Sequence, residues 1–263
     1  MHALPEAGLA VVEAGQVFRL AFEGDPGQAR EAREALSADV FVRRADAPFP
    51  ELFVADMDST MITVECIDEL ADYAGVKPQV AEITERAMRG ELDFAQSLVA
   101  RVKLLKGLDA AVLRRCHDER VRIMAGAKTL VRTLKAHGCR TVLVSGGFTA
   151  FADRVAAEIG FDAVRANVLN VVDGRLNGTV ADPILGAEAK RHALEEEGRE
   201  LDPAATIAVG DGANDIPMLR AAGFGVAYHG KPAVVAGADA AVRYGDLTAV
   251  LHGLGIARAE WAD

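Results

Sequence analysis

Two aspartates, Asp56 and Asp58, stand at the end of an apolar run in the sequence. The run, residues 52–55, is typical of a buried strand that breaks into a turn. Because side chains alternate along a strand, both carboxylates would point to the same side if the strand continued. A buried charge is costly unless it is paired or bound to a metal ion. One aspartate could therefore be a nucleophile and the other a proton donor, although a turn-forming aspartate after a strand is the simpler alternative.

Two further predicted strands end in polar, glycine-rich turns. Residues 141–144 run into the Ser-Gly-Gly turn at 145–147, and residues 206–209 run into the acidic turn at 210–215. In a parallel sheet such ends meet at the edge where α/β proteins bind their ligands. Together the turns offer a carboxylate nucleophile, a hydroxyl, backbone N–H groups and further carboxylates for a cation. That combination suits phosphoryl transfer, although the Ser-Gly-Gly turn alone is ordinary turn chemistry.

Other kinds of phosphate or metal site find no support in the sequence. No Gly-x-x-x-x-Gly-Lys-Ser/Thr run occurs, which excludes a P-loop nucleotide site. The six histidines show no zinc-like spacing. Lys190 lies beside Arg191 in a charged stretch, where a lysine is normally solvated, so spacing alone assigns it no role.

The composition is that of an ordinary globular protein with an acidic surface. Of 263 residues, 51% are hydrophobic and 26% are charged, which is enough apolar material for a sizeable core. The 29 basic and 39 acidic side chains give a net charge of −10. This balance argues against a nucleic-acid groove or an anionic membrane surface as the partner. An anionic substrate would therefore need a local site or a bound cation.

Three features of the sequence predict a cytoplasmic protein. Cys66, Cys116 and Cys139 are odd in number, lie far apart and form no CxxC pair, which is typical of a reducing compartment. No uninterrupted apolar stretch is long enough to span a bilayer. The N-terminal region carries Glu6 and Glu13 but no basic segment, so we expect no secretory signal.

The first part of the chain, residues 1–48, is predicted to form a small module of its own. Strands are expected at 9–12, 17–22 and 40–42, with a helix over 26–36. The module contains too little apolar material for a stable separate core. We therefore expect it to lean on the main body of the protein or on a second subunit.

Helical periodicity without strand-like alternation follows Asp58, which predicts a helical insertion over about residues 65–122. The alternation of strands and helices then resumes. The helices predicted within the insertion cover 65–73, 80–88, 94–105 and 110–121. Those predicted after it cover 127–137, 149–159, 187–197 and 216–222. Strands are predicted at 52–55, 141–144, 206–209 and 225–227, with an Asp-Gly hairpin around 171–176.

In their order along the chain, the polar motifs resemble those of the haloacid dehalogenase-like phosphatases. They are Asp56-Met57-Asp58-Ser59-Thr60, Ser145-Gly146-Gly147, Lys190 and Gly210-Asp211-Gly212-Ala213-Asn214-Asp215. A narrower resemblance, to the bacterial phosphoserine phosphatases of that superfamily, extends over about residues 51–253. It rests on residues 65–70, 87–91, 94, 97 and 101–107.

The resemblance implies an α/β fold, a Rossmann-like parallel sheet core with a helical cap inserted after the first core strand. The core would comprise residues 49–64 and 123–263, and the cap residues 65–122. Residues 1–48 would be a small N-terminal α+β module that resembles a shortened leading segment of longer bacterial relatives. Such a module could regulate the protein, form a dimer contact, or pack against the core in a purely structural role.

The reaction implied by the resemblance is the hydrolysis of O-phospho-L-serine to L-serine and phosphate, the final step of serine biosynthesis. Asp56 would attack phosphorus and form an aspartyl-phosphate, which splits one difficult displacement into two easier ones. Asp58 would first give a proton to the leaving serine oxygen. It would then act as the base on the attacking water.

The resemblance also assigns residues to phosphate and metal. The phosphate-binding groups would be Ser145, Gly146, Gly147, Lys190 and Asn214. The cofactor Mg²⁺ would be held by Asp56, Asp211 and the main-chain carbonyl of Asp58, since this hard ion prefers oxygen ligands. Asp215 would support that metal shell or orient Lys190.

Four residues of the predicted cap would recognise the serine part of the substrate. Glu65 would balance the ammonium group, and Arg101 would grip the carboxylate with two parallel hydrogen bonds. Met88 and Phe94 would supply apolar cover when the cap closes and excludes water. Taken alone, Glu65 is an ordinary acid in a first helical turn and Arg101 an ordinary solvated arginine.

Two alternatives to this function stay open. The chain could act on another small phosphomonoester, or transfer the phosphoryl group to an alcohol instead of water. A non-catalytic metabolite-binding module on the same scaffold ranks low, because Asp56, Asp58 and Asp211 are all present. The expected partner is a small-molecule substrate, with no nucleic acid and no membrane, and the protein could form a homodimer.

Overall fold

The computed structural model describes residues 8–13, 17–21, 24 and 36–263. Elements are numbered from the first strand and the first helix in these ranges. The strands are β1 (Gly8–Glu13), β2 (Val17–Ala21), β3 (Leu52–Ala55), β4 (Arg140–Phe148), β5 (Ala163–Asn167), β6 (Leu169–Val172), β7 (Arg175–Val180), β8 (Thr206–Gly210), β9 (Phe224–Tyr228) and β10 (Ala240–Val242). The α-helices are α1 (Cys66–Tyr73), α2 (Lys77–Met88), α3 (Phe94–Leu104), α4 (Ala111–Arg120), α5 (Ala127–Ala136), α6 (Thr149–Ile159), α7 (Ala187–Glu197), α8 (Ile216–Ala221), α9 (Pro232–Ala236) and α10 (Ala249–Leu254).

The centre of the molecule is a six-stranded sheet with the order β10-β9-β8-β3-β4-β5. All of its strand pairs are parallel. From β3 the chain builds the sheet outward through β4 and β5, and it then returns to build the other side through β8, β9 and β10. The order therefore reverses between β3 and β8, and α/β proteins bind ligands at the carboxyl ends of strands at such a reversal.

Strand β3 is short and entirely apolar because both of its faces are covered. Each of its four residues is fully buried. Phe53 and Ala55 belong to one hydrophobic cluster of the core, and Leu52 and Val54 belong to the cluster on the other face of the sheet. Central strands of parallel sheets have this composition, since helices pack on both faces. The strand predicted at residues 52–55 is confirmed.

Helices α1 to α4 are inserted between β3 and β4 and form the helical cap. The start of α3 is set by a capping box: the Asp93 carboxylate accepts the Gln96 N–H at 2.8 Å, and the Gln96 side chain accepts the Asp93 N–H at 3.1 Å. Helix α2 begins at Lys77, three residues before the prediction, because Pro78 is favourable in a first turn. The predicted fold class is confirmed, while the boundaries of the predicted domains stay predictions.

The hairpin formed by β6 and β7 ties the cap to the core. It turns at Asp173-Gly174, as the sequence predicts. Beyond its own ladder, Leu176 exchanges hydrogen bonds with the base of the cap: its carbonyl accepts the Gly107 N–H at 2.8 Å, and its N–H reaches the Leu108 carbonyl at 2.9 Å. The Gly174 carbonyl accepts the N–H of Ala110 at 2.8 Å. The C-terminal end of α3 is therefore anchored by backbone hydrogen bonds.

Some predicted elements differ from the structure. The strand predicted at 40–42 is reduced to a single antiparallel bridge between Val40 and Ala241. It stops there because Asp39 accepts N–H groups from the turn that follows β10. Strands β5 and β10 and helices α9 and α10 were not predicted, since they are short and lack clear periodicity.

The N-terminal module is described in part. Strands β1 and β2 pair as an antiparallel hairpin, in agreement with the two strands predicted there. The helix predicted over residues 26–36 lies almost entirely outside the described residues. Among the helices of the described ranges, none is long and apolar enough to cross a membrane.

Candidate active site

The carboxyl ends of β3, β4 and β8 open into a cavity of about 130 Å³. The backbone of Asp56 continues the sheet, since its N–H donates to the Val209 carbonyl at 3.0 Å. The cavity lies between this edge of the sheet and the cap. Its lining residues are Asp56, Asp58, Glu65, Ile67, Phe94, Leu98, Arg101, Gly146, Gly147, Phe148, Asp211, Gly212 and Asn214.

Nearly all of the site residues predicted from the sequence meet here. Nine of them line the cavity directly. Ser145, Lys190 and Asp215 are fully buried, and side-chain or backbone contacts join each of them to a lining residue. Met88 is the exception, because 68% of it is exposed at the end of α2 and it does not line the cavity.

A buried lysine joins two carboxylates beneath the cavity. The Lys190 ammonium lies 2.5 Å from Asp56 and 2.6 Å from Asp215. Burial alone would lower the pKa of Lys190, but the two carboxylates outweigh it and hold this pKa above its ordinary value. Lys190 therefore stays charged. It lies on the buried face of α7 with Ala193 and Leu194, at the spacing of one helical face.

The electrostatics of Asp56 are set by opposing neighbours. Burial raises the pKa of Asp56 most, the nearby Asp215 carboxylate raises it further, and Lys190 opposes both. Without a metal ion, the Asp56 and Asp215 carboxylates share the single Lys190 ammonium, so the negative charge of this group exceeds its positive charge. A cation placed beside Asp56 would stabilise its ionised form, which is the form that can act as a nucleophile.

Three carboxylates of the site could hold a metal ion together. One oxygen from each of Asp56, Asp211 and Asp215 lies within 4.8 Å of the other two. Thr60 donates its hydroxyl to Asp211 at 2.9 Å, which fixes the orientation of that carboxylate. Burial raises the pKa of Asp211 to about 6, and Asp215 adds to the rise. This all-oxygen set fits a hard divalent cation.

Asp215 stabilises the acidic turn from within. One of its oxygens accepts from Lys190, and the other accepts the Gly212 N–H at 2.9 Å. A side chain at Gly210 would collide with Asp215, because an added Cβ would lie 2.5 Å from its carboxyl carbon. The glycine at this position therefore reflects close packing against the carboxylate.

Asp58 is placed to exchange protons at neutral pH. Its carboxylate accepts the backbone N–H of Cys66 at 3.2 Å, at the start of α1. Burial raises its pKa to about 7, and the charge of Glu65 contributes to this rise. A carboxyl group that titrates near neutrality can both donate and accept a proton in one reaction cycle. Gly147 is required beside it, since an added Cβ would lie 2.8 Å from Asp58 Oδ2.

The Ser-Gly-Gly segment predicted as a turn lies within the end of β4, where the register against β5 shifts between Val144 and Phe148, and its two glycines line the cavity. Ser145 is fully buried, and its hydroxyl oxygen accepts the Gly147 N–H at 2.8 Å. Gly146 has no room for a side chain, because an added Cβ would lie 2.8 Å from the Phe94 ring. The predicted phosphate-binding groups of this turn therefore face the same space as the two catalytic candidates.

The cap side of the cavity carries one acidic residue, Glu65, and one positively charged residue, Arg101. Glu65 is held by the Ser59 hydroxyl at 2.7 Å, and Ser59 itself has a left-handed backbone conformation with φ of 56°. Arg101 is half-buried, and its Nε donates to the Ser97 carbonyl at 3.3 Å. Burial lowers the pKa of Arg101, which Asp68 and Glu65 partly offset. An arginine remains charged under these conditions.

Sequence reasoning missed several lining residues. Leu98 follows Phe94 by four residues and precedes Arg101 by three, which places all three on one face of α3. This helical spacing could have identified Leu98 as a lining residue from the sequence. Ile67 and Gly212 lie within the motifs named above and Phe148 directly follows one, but none of the three has a reactive side chain that would have singled it out.

Comparisons with known proteins identify the family of this chain. A profile of the haloacid dehalogenase-like hydrolase family matches residues 53–220, and a second haloacid dehalogenase-like hydrolase profile matches residues 187–254. A phosphoserine phosphatase of Streptomyces coelicolor is 46% identical over 86% of this chain and 56% of its own length. One of a Polaromonas species is 47% identical over 77% of this chain and 89% of its own length. The chain thus spans little more than half of the first relative and nearly all of the second.

Solved structures extend the likeness to the fold. A probable phosphoserine phosphatase from Vibrio cholerae, in an unliganded form, is 40% identical with a TM-score of 0.78, over 92% of this chain and 76% of that chain. A phosphoserine phosphatase solved as a phospho-aspartyl intermediate analogue is 38% identical with a TM-score of 0.72, over 78% of this chain and 98% of that chain. The chain belongs to the haloacid dehalogenase-like hydrolases, in the family of the phosphoserine phosphatases.

Proposed function

We propose that this protein hydrolyses O-phospho-L-serine to L-serine and phosphate, the final step of serine biosynthesis. The observation that carries the proposal is one cavity that holds Asp56 and Asp58 together with Glu65 and Arg101. The first pair suits phosphoryl transfer, and the second pair suits the two charges of an amino acid. A generic phosphate ester would need only the first pair.

In the first step Asp56 attacks phosphorus. A carboxylate–phosphorus bond forms, and the bond between phosphorus and the serine oxygen breaks. Asp58 gives its proton to the leaving oxygen, which requires that it begin the cycle protonated. The Lys190 ammonium, 2.5 Å from the Asp56 carboxylate, favours the ionised form that this attack needs. It opposes burial and the Asp215 charge, which hold the pKa of Asp56 well above its ordinary value.

In the second step the aspartyl-phosphate is hydrolysed. Asp58, now ionised, takes a proton from a water molecule as that water attacks phosphorus. The bond between phosphorus and the Asp56 oxygen breaks, and inorganic phosphate leaves. Asp58 is again protonated at the end, so the cycle closes without another proton carrier.

Phosphate oxygens are bound by groups at the ends of β4 and α7. We assign them to the Ser145 hydroxyl, the Gly146 and Gly147 backbone N–H groups, Lys190 and Asn214. Ser145 and Lys190 are preorganised, because both are fully buried. Preorganised donors stabilise the negative charge that develops as phosphorus is attacked.

Phosphatases of this superfamily use a divalent metal ion, and we propose Mg²⁺ for this one. Asp56, Asp211 and the Asp58 main-chain carbonyl would hold it, with the Asp215 carboxylate close enough to support the shell. When bound, the ion supplies positive charge beside the transferred phosphoryl group. The experiment below tests whether activity depends on it.

The cap provides the specificity. We assign the substrate ammonium to Glu65 and the substrate carboxylate to Arg101, with Phe94 as apolar cover. Met88 is the weakest of the predicted substrate contacts, since its side chain is largely exposed in this structure. A movement of the cap that brought Met88 inward would be needed for it to touch the substrate.

Phosphate release from L-phosphoserine, measured with and without Mg²⁺, tests the proposal. Phosphothreonine, phosphoethanolamine and an aryl phosphate serve as comparison substrates. The first keeps both charged groups and adds a methyl group, the second lacks the carboxylate, and the third lacks both the ammonium and the carboxylate. Fast, metal-dependent release that favours phosphoserine is the expected result. Release only from the other esters would leave the chemistry but refute the substrate, and no release from any of them would favour a binding module.

The place of action and the assembly also remain proposals. The three cysteines are all free and buried, which suits a reducing compartment such as the cytoplasm. Homodimer formation and the role of residues 1–48 stay predictions, because much of that segment lies outside the described residues.

A further inference from the structure

Asn167, at the end of β5, is a buried polar residue next to the phosphate-binding turn. It is 2% exposed, and it lies opposite Phe148 in the register of β4 and β5. Both polar atoms of its side chain are hydrogen-bonded. Its Nδ2 group donates to the Gly146 carbonyl at 2.9 Å and to the Leu185 carbonyl at 3.1 Å, and its Oδ1 accepts the Leu185 N–H at 2.7 Å.

These three bonds require an amide in one orientation. Two backbone carbonyls face the nitrogen and one backbone N–H faces the oxygen. Exchanging the two side-chain atoms would place the amide oxygen against the carbonyls and the amide NH2 against the N–H. Aspartate has the same shape but no donor. An aspartate could still accept the hydrogen bond from the Leu185 N–H, but its other carboxylate oxygen would lie against the Gly146 and Leu185 carbonyls. Asn167 is therefore chemically specified by its surroundings.

The first bond determines which way a peptide group of the active site points. The Gly146 carbonyl shares its peptide plane with the Gly147 N–H, and the two point in opposite directions in a trans peptide. With the carbonyl held by Asn167, the N–H is directed at the Ser145 hydroxyl, 2.8 Å away. A peptide between two glycines has little steric resistance to rotation, so an external hydrogen bond must hold it.

The other two bonds reach the second phosphate element. Leu185 immediately precedes Gly186, the residue from which α7 begins, and α7 carries Lys190. Asn167 thus joins the end of β4 to the segment that leads into α7. Neither of these segments pairs with the other directly through a strand ladder.

We propose that Asn167 is a positioning residue for the phosphate site, which holds the Gly146–Gly147 peptide so that its N–H fixes the Ser145 hydroxyl that would bind a phosphoryl oxygen. The inference rests on the proposed function, because it concerns the phosphate that function transfers. Asn167 touches no substrate itself. Its effect must therefore be common to every phosphate ester the enzyme accepts, unlike the effect of a residue that reads the serine part.

The test compares Asn167→Asp with Asn170→Asp. Asn170 lies three residues further along, on the exposed hairpin, where its side chain bonds only to Thr179 among the described contacts. Initial rates on phosphoserine and on an aryl phosphate are measured at saturating Mg²⁺. We expect kcat of Asn167→Asp to fall roughly tenfold to a hundredfold by the same factor on both substrates, the range for weakening one donor to a transition-state oxyanion. Asn170→Asp should stay within twofold of the wild type.

Binding of inorganic phosphate, followed by titration calorimetry in Mg²⁺, gives a readout that needs no turnover. We expect the dissociation constant of Asn167→Asp to rise about tenfold. Its melting temperature should fall below that of Asn170→Asp, because the new carboxylate is buried against two carbonyls, but the variant should still unfold cooperatively. If the wild type hydrolysed none of the esters, the proposed function would fail, but this comparison would still decide the role of Asn167.

Three results would overturn the inference. One is wild-type kcat and phosphate affinity in a folded Asn167→Asp. Another is a loss confined to phosphoserine, which would place Asn167 in substrate recognition. The third is failure of both Asn167→Asp and Asn167→Ser to fold while Asn170→Asp folds, which would make the residue purely structural.

Discussion

At the scale of single residues, the site is a set of buried charges that stabilise one another. Lys190 and Asp215 are fully buried, and Asp56 is 6% exposed. Burying one such charge without a partner would cost several kcal/mol. Removing one of these charges should therefore lower both the rate of phosphate release and the free energy of unfolding. A variant that leaves the remaining charges paired separates the two effects.

Asp56→Asn should abolish turnover while the protein stays folded. The amide is not a nucleophile towards phosphorus, so we expect kcat to fall by at least about a thousandfold. Lys190 keeps Asp215 as its partner, at 2.6 Å, which should preserve the fold. Phosphate release and thermal melting are the measurements, with the exposed Asp153→Asn on α6 as a matched control. Near-normal activity in Asp56→Asn would end the covalent mechanism.

Arg101→Ala should impair phosphoserine far more than an aryl phosphate. Only phosphoserine offers a carboxylate to the guanidinium, and losing a charged hydrogen-bonded contact costs about 2 kcal/mol or more, which is a rise in KM of roughly thirtyfold. The ratio of KM values for the two esters is the measurement. Lys103→Ala, an exposed cation on the same helix, is the control. Equal losses on both esters would assign Arg101 to the fold or to the phosphate site.

Some residues of the site could be predicted from the sequence pattern, and others could not. Asp56 and Asp58 were singled out by their position after an apolar strand, with a turn-forming role left open, and the resemblance then assigned their catalytic roles. Lys190 was different, since its neighbours are charged and its spacing predicted a solvated side chain. Only the resemblance assigned it a role, and only the packing of α7 against the sheet explains how its ammonium reaches Asp56.

At the scale of elements, one aromatic ring of the cap lies against the core beside the cavity. Phe94 is the first residue of α3, and its ring lies against two glycines of the core. An added Cβ would lie 2.8 Å from the ring at Gly146 and 3.0 Å from it at Gly186. These glycines are sites of close approach between the cap and the two loops that would bind phosphate.

Gly186→Val should hold the cap away from the core. The backbone there is extended, with φ of −118°, so valine fits the backbone and conflicts only with the Phe94 ring. We expect kcat/KM for phosphoserine to fall about tenfold. In Gly186→Val/Phe94→Ala the valine should add little to the loss caused by Phe94→Ala, because the clash is gone. Additive losses in this double-mutant cycle would show that Gly186 acts independently of the cap.

Long helices with a clear periodicity were predicted close to their observed ends. Helices α6 and α7 match the predicted ranges, and α3 ends one residue earlier than predicted. Two of the shortest elements were not predicted, β10 with three residues and α9 with five. Elements of that length are stabilised by their neighbours in the fold and leave little pattern in the sequence.

At the scale of the whole molecule, stability of the metal-free protein should fall as pH rises. Asp58 and Asp211 have folded pKa values of about 7 and about 6, raised mainly by burial above an ordinary value of 3.8. Above pH 3.8 the unfolded chain loses these protons while the folded protein keeps them. Their contribution to the free energy of unfolding therefore declines from about pH 4 to pH 7.

Asp58→Asn isolates one part of this dependence. The amide does not titrate, so in EDTA the variant should gain stability over the wild type, and the gain should be larger at pH 8 than at pH 5. The expected difference is on the order of 2 kcal/mol for a shift of this size. Urea denaturation at the two pH values measures it. A gain of equal size at both would show that the Asp58 carboxyl is not the titrating group.

The sequence alone determined the chemistry and the class of fold. Local patterns were sufficient, because apolar strands that end in Asp-x-Asp, Ser-Gly-Gly and Gly-Asp-Gly turns carry both the strand and the reactive groups in a few consecutive residues. Parallel sheets then bring such ends to one edge whatever the detailed packing. The helical insertion followed from its periodicity and its glycine breaks.

Only the tertiary structure decided how these groups act on one another. The ammonium shared by Asp56 and Asp215, the raised pKa of Asp58 and the amide of Asn167 arise from residues far apart in the chain that are buried together. Burial lowers the local dielectric and removes water as a competing partner, so distances of a fraction of an ångström set charge and orientation. No local pattern encodes such distances, because they depend on how every element packs.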